Sequence, residues 1–223
     1  MRIQDAIRSN SLEDLRELID GAQGNRAQLN AIDEQTGRTA LHIASLVHQV
    51  MAMEMLLSAG ANPNVGMWEH VDLFPKEPFP GVPADALVYG EITPDNERGC
   101  TPLHVVSENG DMVLLQLLIA HKADLNPRTA YGFTPLHLAA HMGHYEVVDA
   151  LICHGANVQA ETINGETPLH VAARGGSVQV VEKLLDSGAD TAKKCVDGFT
   201  ALDMALGWDN ADLADLLRGR MNH

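Results

Sequence analysis

The sequence predicts an all-α repeat array, a stack of short antiparallel helix pairs joined by projecting β-hairpin or loop fingers, and three observations predict it. Thr101-Pro102-Leu103-His104, Thr134-Pro135-Leu136-His137 and Thr167-Pro168-Leu169-His170 recur with a strict period of 33 residues. Thr39-Ala40-Leu41-His42 is a fourth copy, and Thr200-Ala201-Leu202-Asp203 is a fifth that has lost its His. After each copy come Ala-Ala or a close variant, a polar or glycine turn, and an apolar run such as Val147-Val148 with Leu151-Ile152 or Val180-Val181 with Leu184-Leu185. A stop of small residues then closes the unit, as in Ser58-Ala59-Gly60-Ala61-Asn62, His154-Gly155-Ala156-Asn157 and Ser187-Gly188-Ala189-Asp190. A fixed period of this length is the signature of a solenoid.

Each element has a physical reason. Thr caps the first helix, and Pro follows it at the first helical position, where no amide hydrogen is needed. Small alanines let a neighbouring helix approach closely. A second helix carries the i, i+3, i+4 apolar stripe and ends at glycine, which tolerates positive φ. The residues up to Tyr131-Gly132, Asn164-Gly165 or Asp197-Gly198 form the turn into the next unit. One such unit cannot bury its apolar face, but a stack of them can.

Composition narrows the classes. With 45% hydrophobic residues the chain is that of a folded protein. Fifteen Lys+Arg against thirty Asp+Glu leave a formal charge of −15, which repels phosphate backbones and anionic lipid, so neither nucleic acid nor a membrane surface is the expected partner. No apolar run approaches the ~18 residues of a membrane span. The N-terminal Met1-Arg2-Ile3-Gln4-Asp5-Ala6 turns charged before a signal-peptide core could form. Cys100, Cys153 and Cys195 share no close spacing, so a reducing, cytoplasmic setting is expected, with nuclear or secreted-effector settings left open.

The repeated landmarks resemble the ankyrin repeat over nearly the whole chain. Repeats fall at about 1–33, 34–65, 97–128, 129–161, 162–194 and 195–223, and together they form a single domain. The first is atypical: Ile3-Gln4-Asp5-Ala6 stands where Leu-His-x-Ala is expected, and Leu12, Leu15, Leu18 and Ile19 supply its second helix. Polar residues such as Gln4, Asp5, Arg8, Asp203 and Asp212 mark the first and last repeats as caps whose outer faces meet water. The resemblance also implies that His137 bridges backbone groups of adjacent repeats. It implies too that the fingertips and the ends of the first helices line a concave, protein-binding groove.

One insertion interrupts the array. Thr39 and Thr101 lie 62 residues apart rather than 33, so 29 extra residues sit in one finger, at about 66–96. This stretch holds five of the ten prolines, six acids against the single Lys76, and Trp68, Phe74, Phe79 and Tyr89. Loops longer than about 12–15 residues are usually functional or disordered, and flexible linkers are poor in aromatics, which favours a loop packed on the array. Of the nine aromatics in the chain, Tyr131, Phe133 and Phe199 fall on fingertips and Trp208 at the end of a first helix. His141, Met142, Glu166, Arg174 and Asp197 fall on the same groove surface by repeat phase. These residues and the four insertion aromatics are the expected partner-binding set.

Catalytic, cofactor and metal sites are not expected. His137, His141 and His144 have a helical metal-ligand spacing, but His42, His104 and His170 repeat the first of them without the other two. Glu146, Asp149 and Glu182 read as solvated helix residues, and Gly175-Gly176-Ser177 fits a helix–helix turn rather than a phosphate loop. The expected function is therefore a protein-interaction module, not an enzyme and monomeric by itself, whose partner offers a basic or Lys/Arg-containing surface. The alternative is an inhibitor or accessory subunit whose insertion masks a partner's active site or its own groove.

Overall fold

A computed structural model describes residues 1–22, 25–67 and 99–221. Among these residues the chain is helical and forms no strand. Two compact units are present: one takes the described residues of 1–67, 99–106 and 111–130, the other those of 107–110 and 131–221.

Six helix pairs follow one another among the described residues: α1 (Ile3–Arg8) with α2 (Leu12–Gly21), α4 (Ala40–Leu46) with α5 (Val50–Ser58), α6 (Pro102–Asn109) with α7 (Met112–Ala120), α8 (Pro135–Met142) with α9 (Tyr145–Cys153), α10 (Pro168–Gly175) with α11 (Val178–Asp186), and α12 (Ala201–Gly207) with α13 (Ala211–Met221). A one-turn helix that the period does not foretell, α3 (Arg26–Leu29), lies between the first two pairs. In the first unit α1 packs on α4, while α5 packs on both α2 and α7. In the second, α10 sits between α8 and α12 in one layer, and α11 between α9 and α13 in the other. Each core is aliphatic, with Leu15, Met53, Leu56, Leu114 and Leu118 inaccessible in the first unit and Val148, Leu151, Val181 and Leu184 in the second.

The turn inside every pair obeys one rule. The residue just before the second helix's N-cap is left-handed in all six: Asn10, His48, Gly110, Gly143, Gly176 and Asp209, with φ between 53° and 84°. Three are glycine, which takes this conformation without steric cost. The others are Asn, Asp and His, the side chains that tolerate it best. This turn carries the chain straight into the second helix, whose leading residue reaches back to the preceding pair: Gln49 Nε2 donates to Ile7 O, His144 Nε2 to Glu108 O and Asn210 Nδ2 to Ala173 O.

The fingers are tight turns rather than hairpin strands. Thr162 N donates to Glu166 O and Gly165 N to Thr162 O; Cys195 N donates to Phe199 O and Gly198 N to Cys195 O. Neighbouring fingers join through Ile163 N to Tyr131 O and Val196 N to Asn164 O. The interrupted finger closes on the same plan, Gly99 N donating to Met67 O and Met67 N to Cys100 O. Met67, Cys100 and Val105 form a buried cluster beneath it. Residues 68–98 thus occupy the place that Ile163-Asn164 occupies in the fifth repeat, 31 residues in place of two, and the difference is the 29 counted from the period. Met67 and Gly99 are the described residues nearest the stretch expected to be inserted, and Gly66 and Met67 are buried.

The capping motif does two jobs. Thr39 N donates to His42 Nδ1, and His42 Nε2 donates to Cys100 O at 2.8 Å in the next finger. His137 and His170 repeat this with Glu166 O and Phe199 O. Only the neutral Nε2–H tautomer satisfies both ends, since a proton on Nδ1 would face the Thr amide hydrogen. Burial is the first cause that pushes His42 down, from an ordinary value near 6.5 to about 3, and His170 also falls below the ordinary range, chiefly through burial. In the first repeat the expected water-facing cap is partly inward. Gln4 is buried and donates to Ala31 O, and Arg8 pairs at 2.8 Å with Asp33, whose carboxyl this pairing holds below the usual range.

Two predictions test this account. The unfolded chain binds protons at His42 and His170 below about pH 6.5 whereas the folded one does not, so stability should be full above that pH and fall as pH drops toward 3. Thermal melts from pH 7 to pH 4, with NMR of the His42 ring, should show a falling midpoint and a ring still neutral at pH 5. The second concerns packing between α8 and α10: a Cβ at Gly175 would drive into the His141 carbonyl, whereas one at Gly207 meets nothing within 4 Å. Gly175→Ala should therefore lower the urea midpoint by an amount equivalent to about 1–3 kcal/mol. Gly207→Ala should leave it unchanged or raise it, because alanine is the better helix former.

Candidate functional site

The second unit presents a run of exposed apolar side chains. Met142 and Trp208 occupy the same repeat position, at the ends of α8 and α12, and are 46% and 59% exposed. In α10 that position is Gly175, so the row dips at the middle repeat. On the fingers, Phe199 is 52% exposed, Val196 76% and Ile163 47%, and Asp197 is exposed beside them. The finger hydrogen bonds from Ile163 to Tyr131 and from Val196 to Asn164 hold these tips in sequence.

Not every expected site residue is presented to solvent. Tyr131 and Phe133 are half-buried, and the Phe133 ring packs edge-on to His137 with centroids 5.8 Å apart. Glu166 and Arg174, placed on the groove surface by repeat phase, are buried. Arg174 Nη1 donates to Glu166 Oε1 at 2.7 Å, with side-chain exposures of 4% and 3%. A charge removed from water needs a counter-charge, and each of these provides the other's. The Glu166 backbone is also held, its carbonyl accepting from both His137 Nε2 and Thr162 N. His141 is half-buried; burial first, and then the Arg174 charge, lower its pKa. Glu166 and Arg174 are thus withdrawn from solvent, and His141 is half-buried. Trp68, Phe74, Phe79 and Tyr89 lie outside the described residues.

Ile163, Val196 and Leu206 are exposed apolar residues that the aromatic count passed over. The signal for Ile163 and Val196 was the repeat alignment itself, which puts aliphatic residues at turn positions that ordinarily carry polar ones, whereas Leu206 stands within α12 where α8 and α10 carry Ala140 and Ala173.

His137 is tied to Thr134 through Nδ1 and to Glu166 O through Nε2, and His144 Nε2 is tied to Glu108 O. Among the described residues no group of three or more His, Cys, Asp or Glu could hold a metal ion. Asp149 pairs with Lys183 and also accepts from the exposed Cys153 thiol at 3.7 Å. No described helix is long and apolar enough to cross a membrane.

A family model for ankyrin repeats, three copies long, matches residues 84–162 and again 157–222, and a single-repeat model matches residues 36–67. The first match begins inside the stretch assigned to the insertion. No curated protein matches the chain. The family matches run over well more than half of the 223 residues, and they coincide with the helix pairs, the left-handed turns and the imidazole bridges described above, so the chain belongs to the ankyrin-repeat family.

Proposed function

We propose that the chain binds a partner protein through the groove-side surface of its second unit and through the insertion rooted at Met67 and Gly99. Ankyrin repeats are generally protein–protein interaction modules. The observation that carries the reading for this chain is the exposure of Met142, Phe199 and Trp208, at 46%, 52% and 59%. Bulky apolar side chains left in water at repeated positions supply the anchors that dominate protein interfaces. The formal charge of −15 favours a partner with a basic surface. Glu166, Arg174 and His141 serve as the floor that keeps the anchors in place. The insertion adds Trp68, Phe74, Phe79 and Tyr89 to the recognition surface, and its acids add to the field that draws in a basic partner.

The triple variant Met142→Ala/Phe199→Ala/Trp208→Ala should lose affinity capture of the partner while keeping its circular dichroism and melting temperature, since truncating anchor aromatics often costs ~2 kcal/mol or more each. Undiminished capture by the folded variant would exclude this surface. The insertion is tested separately by replacing residues 68–98 with Ile-Asn, the pair that bridges Thr162 and Gly165 in the fifth repeat. That protein should melt normally and capture less. Increased capture would instead support the alternative in which the insertion covers the groove, and unchanged capture would dismiss both roles.

A further inference from the structure

Two second helices of the first unit depart from their counterparts in the rest of the chain. α7 carries no charged residue and α5 only Glu54, whereas α9 carries Glu146 and Asp149 and α11 carries Glu182, Lys183 and Asp186. Each buries one side in the core, with Met53 and Leu56 from α5 and Leu114 and Leu118 from α7. A helix that is apolar on its other sides too is ordinarily covered all round. Here it is not: Met51 is 55% exposed and Val113 52%. Where these two stand, α9, α11 and α13 carry Glu146, Gln179 and Asp212.

The neighbouring turn adds to the same face. Leu46 and Val47, at the end of α4, are 43% and 46% exposed. Leu46 stands where the later pairs have Glu108, His141, Arg174 and Gly207. Asp111 joins this turn to the start of α7. Its Oδ1 accepts from Leu114 N at 3.1 Å and caps the helix, while its Oδ2 accepts from His48 Nδ1. Helix α5 also packs directly on α7. Leu46, Val47, Met51 and Val113 are thus gathered around one hydrogen bond, and a gathered apolar patch marks a contact site where scattered residues would not.

The charge around this patch is one-sided. Residues 3–21, 40–58 and 111–120, which hold α1, α2, α4, α5 and α7, contain seven Asp or Glu against Arg8 and Arg16. Arg8 is engaged by Asp33 and Asp5. Arg16 is exposed in α2 between Glu13 and Glu17. The remaining cations near these helices are at their far ends, Arg26 beside Gly60 and Lys122 after Ala120. Each is nine residues, about 14 Å of helix, beyond Met51 or Val113.

We propose that this face of the first unit docks an amphipathic segment of another protein, its apolar side covering Leu46, Met51 and Val113 and its Lys or Arg side chains meeting the surrounding acids. The charge decides between occupants. The chain's own insertion, with six acids against Lys76, would set acid against acid. A second copy would bring another −15. A basic amphipathic segment satisfies both the apolar area and the field. The surface belongs to the first unit and does not depend on the Met142, Phe199 and Trp208 anchors.

The test uses the full chain and three amphipathic helical peptides of one leucine pattern, with Lys, Gln or Glu at the polar positions. Calorimetry is run at physiological salt, where long-range attraction is screened. The Leu/Lys peptide should bind and shift the amide resonances of residues 46–51 and 111–117. The double variant Met51→Gln/Val113→Gln should bind it at least about tenfold more weakly with an unchanged melting temperature. Its fold is safeguarded because Gln179 already holds that position in α11. The Met142→Ala/Phe199→Ala/Trp208→Ala variant should keep the affinity, which separates failure here from failure of the groove reading. The proposal is overturned if the double variant binds within about twofold of the parent, or if the Leu/Gln peptide binds as tightly. It is also overturned if sedimentation shows self-association that the double variant abolishes, or if replacing residues 68–98 with Ile-Asn raises the affinity tenfold, since the insertion would then be the occupant.

Discussion

A neutral imidazole, buried where one repeat meets the next, is the interaction on which the array depends. Its Nδ1 accepts from the backbone amide that opens a helix, and its Nε2–H donates to a carbonyl in the following finger. One ring therefore sets three things together: where the helix starts, how the finger is oriented, and the register of stacking. A buried polar group left unpaired costs about 1–3 kcal/mol, so losing either end of the bridge penalises the other. The repeats are short and their helices too few-turned to stand alone, and this coupling makes neighbouring units fold as one.

The same economy explains how the second unit divides its charged residues. Glu166 and Arg174 neutralise each other inside, Lys183 meets Asp149 and Lys193 meets Glu161 across adjacent pairs, and Arg220 reaches Asp186. Three of the six Lys and Arg of this unit thus pair across adjacent repeats. The surplus of acids is left on the outside, where it sets the field a partner encounters.

Much of the fold was legible in the sequence because the period of 33 residues imposes its landmarks at fixed phase. Thr-Pro-Leu-His marked the Thr cap, the ankyrin resemblance implied the imidazole bridge, and Gly143 and Gly176 announced their own turns; that the His also takes part in the cap came from its Nδ1 bond to the Thr amide. Asn10, His48 and Asp209 hold the same left-handed turn without glycine, so no composition signal marked them. Periodicity placed extra residues at about 66–96, but Gly66 and Met67 look like loop residues until the hydrogen bonds of Met67 to Gly99 and Cys100 are seen. The site was less legible. Phase tells which side of a repeat a residue is on, not whether a neighbour covers it, so Glu166 and Arg174 read as surface although they bury each other. Leu206 was missed for the converse reason: the position is covered in α8 and α10 and bare in α12.

The pinched root of the interrupted finger has a consequence for how this protein can change. Two backbone hydrogen bonds and the Met67–Cys100–Val105 cluster close the finger at Met67 and Gly99. Closing a flexible loop costs only about 0.6 kcal/mol per doubling of length, and going from two residues to 31 is roughly four doublings, ~2.4 kcal/mol. Insertions, deletions and wholesale sequence replacement at that tip are thus cheap beside the stability of the stack. On this ledger the fingertip is a socket at which sequence can be exchanged over evolutionary time, or by an engineer, while the two hydrogen bonds at its root are kept.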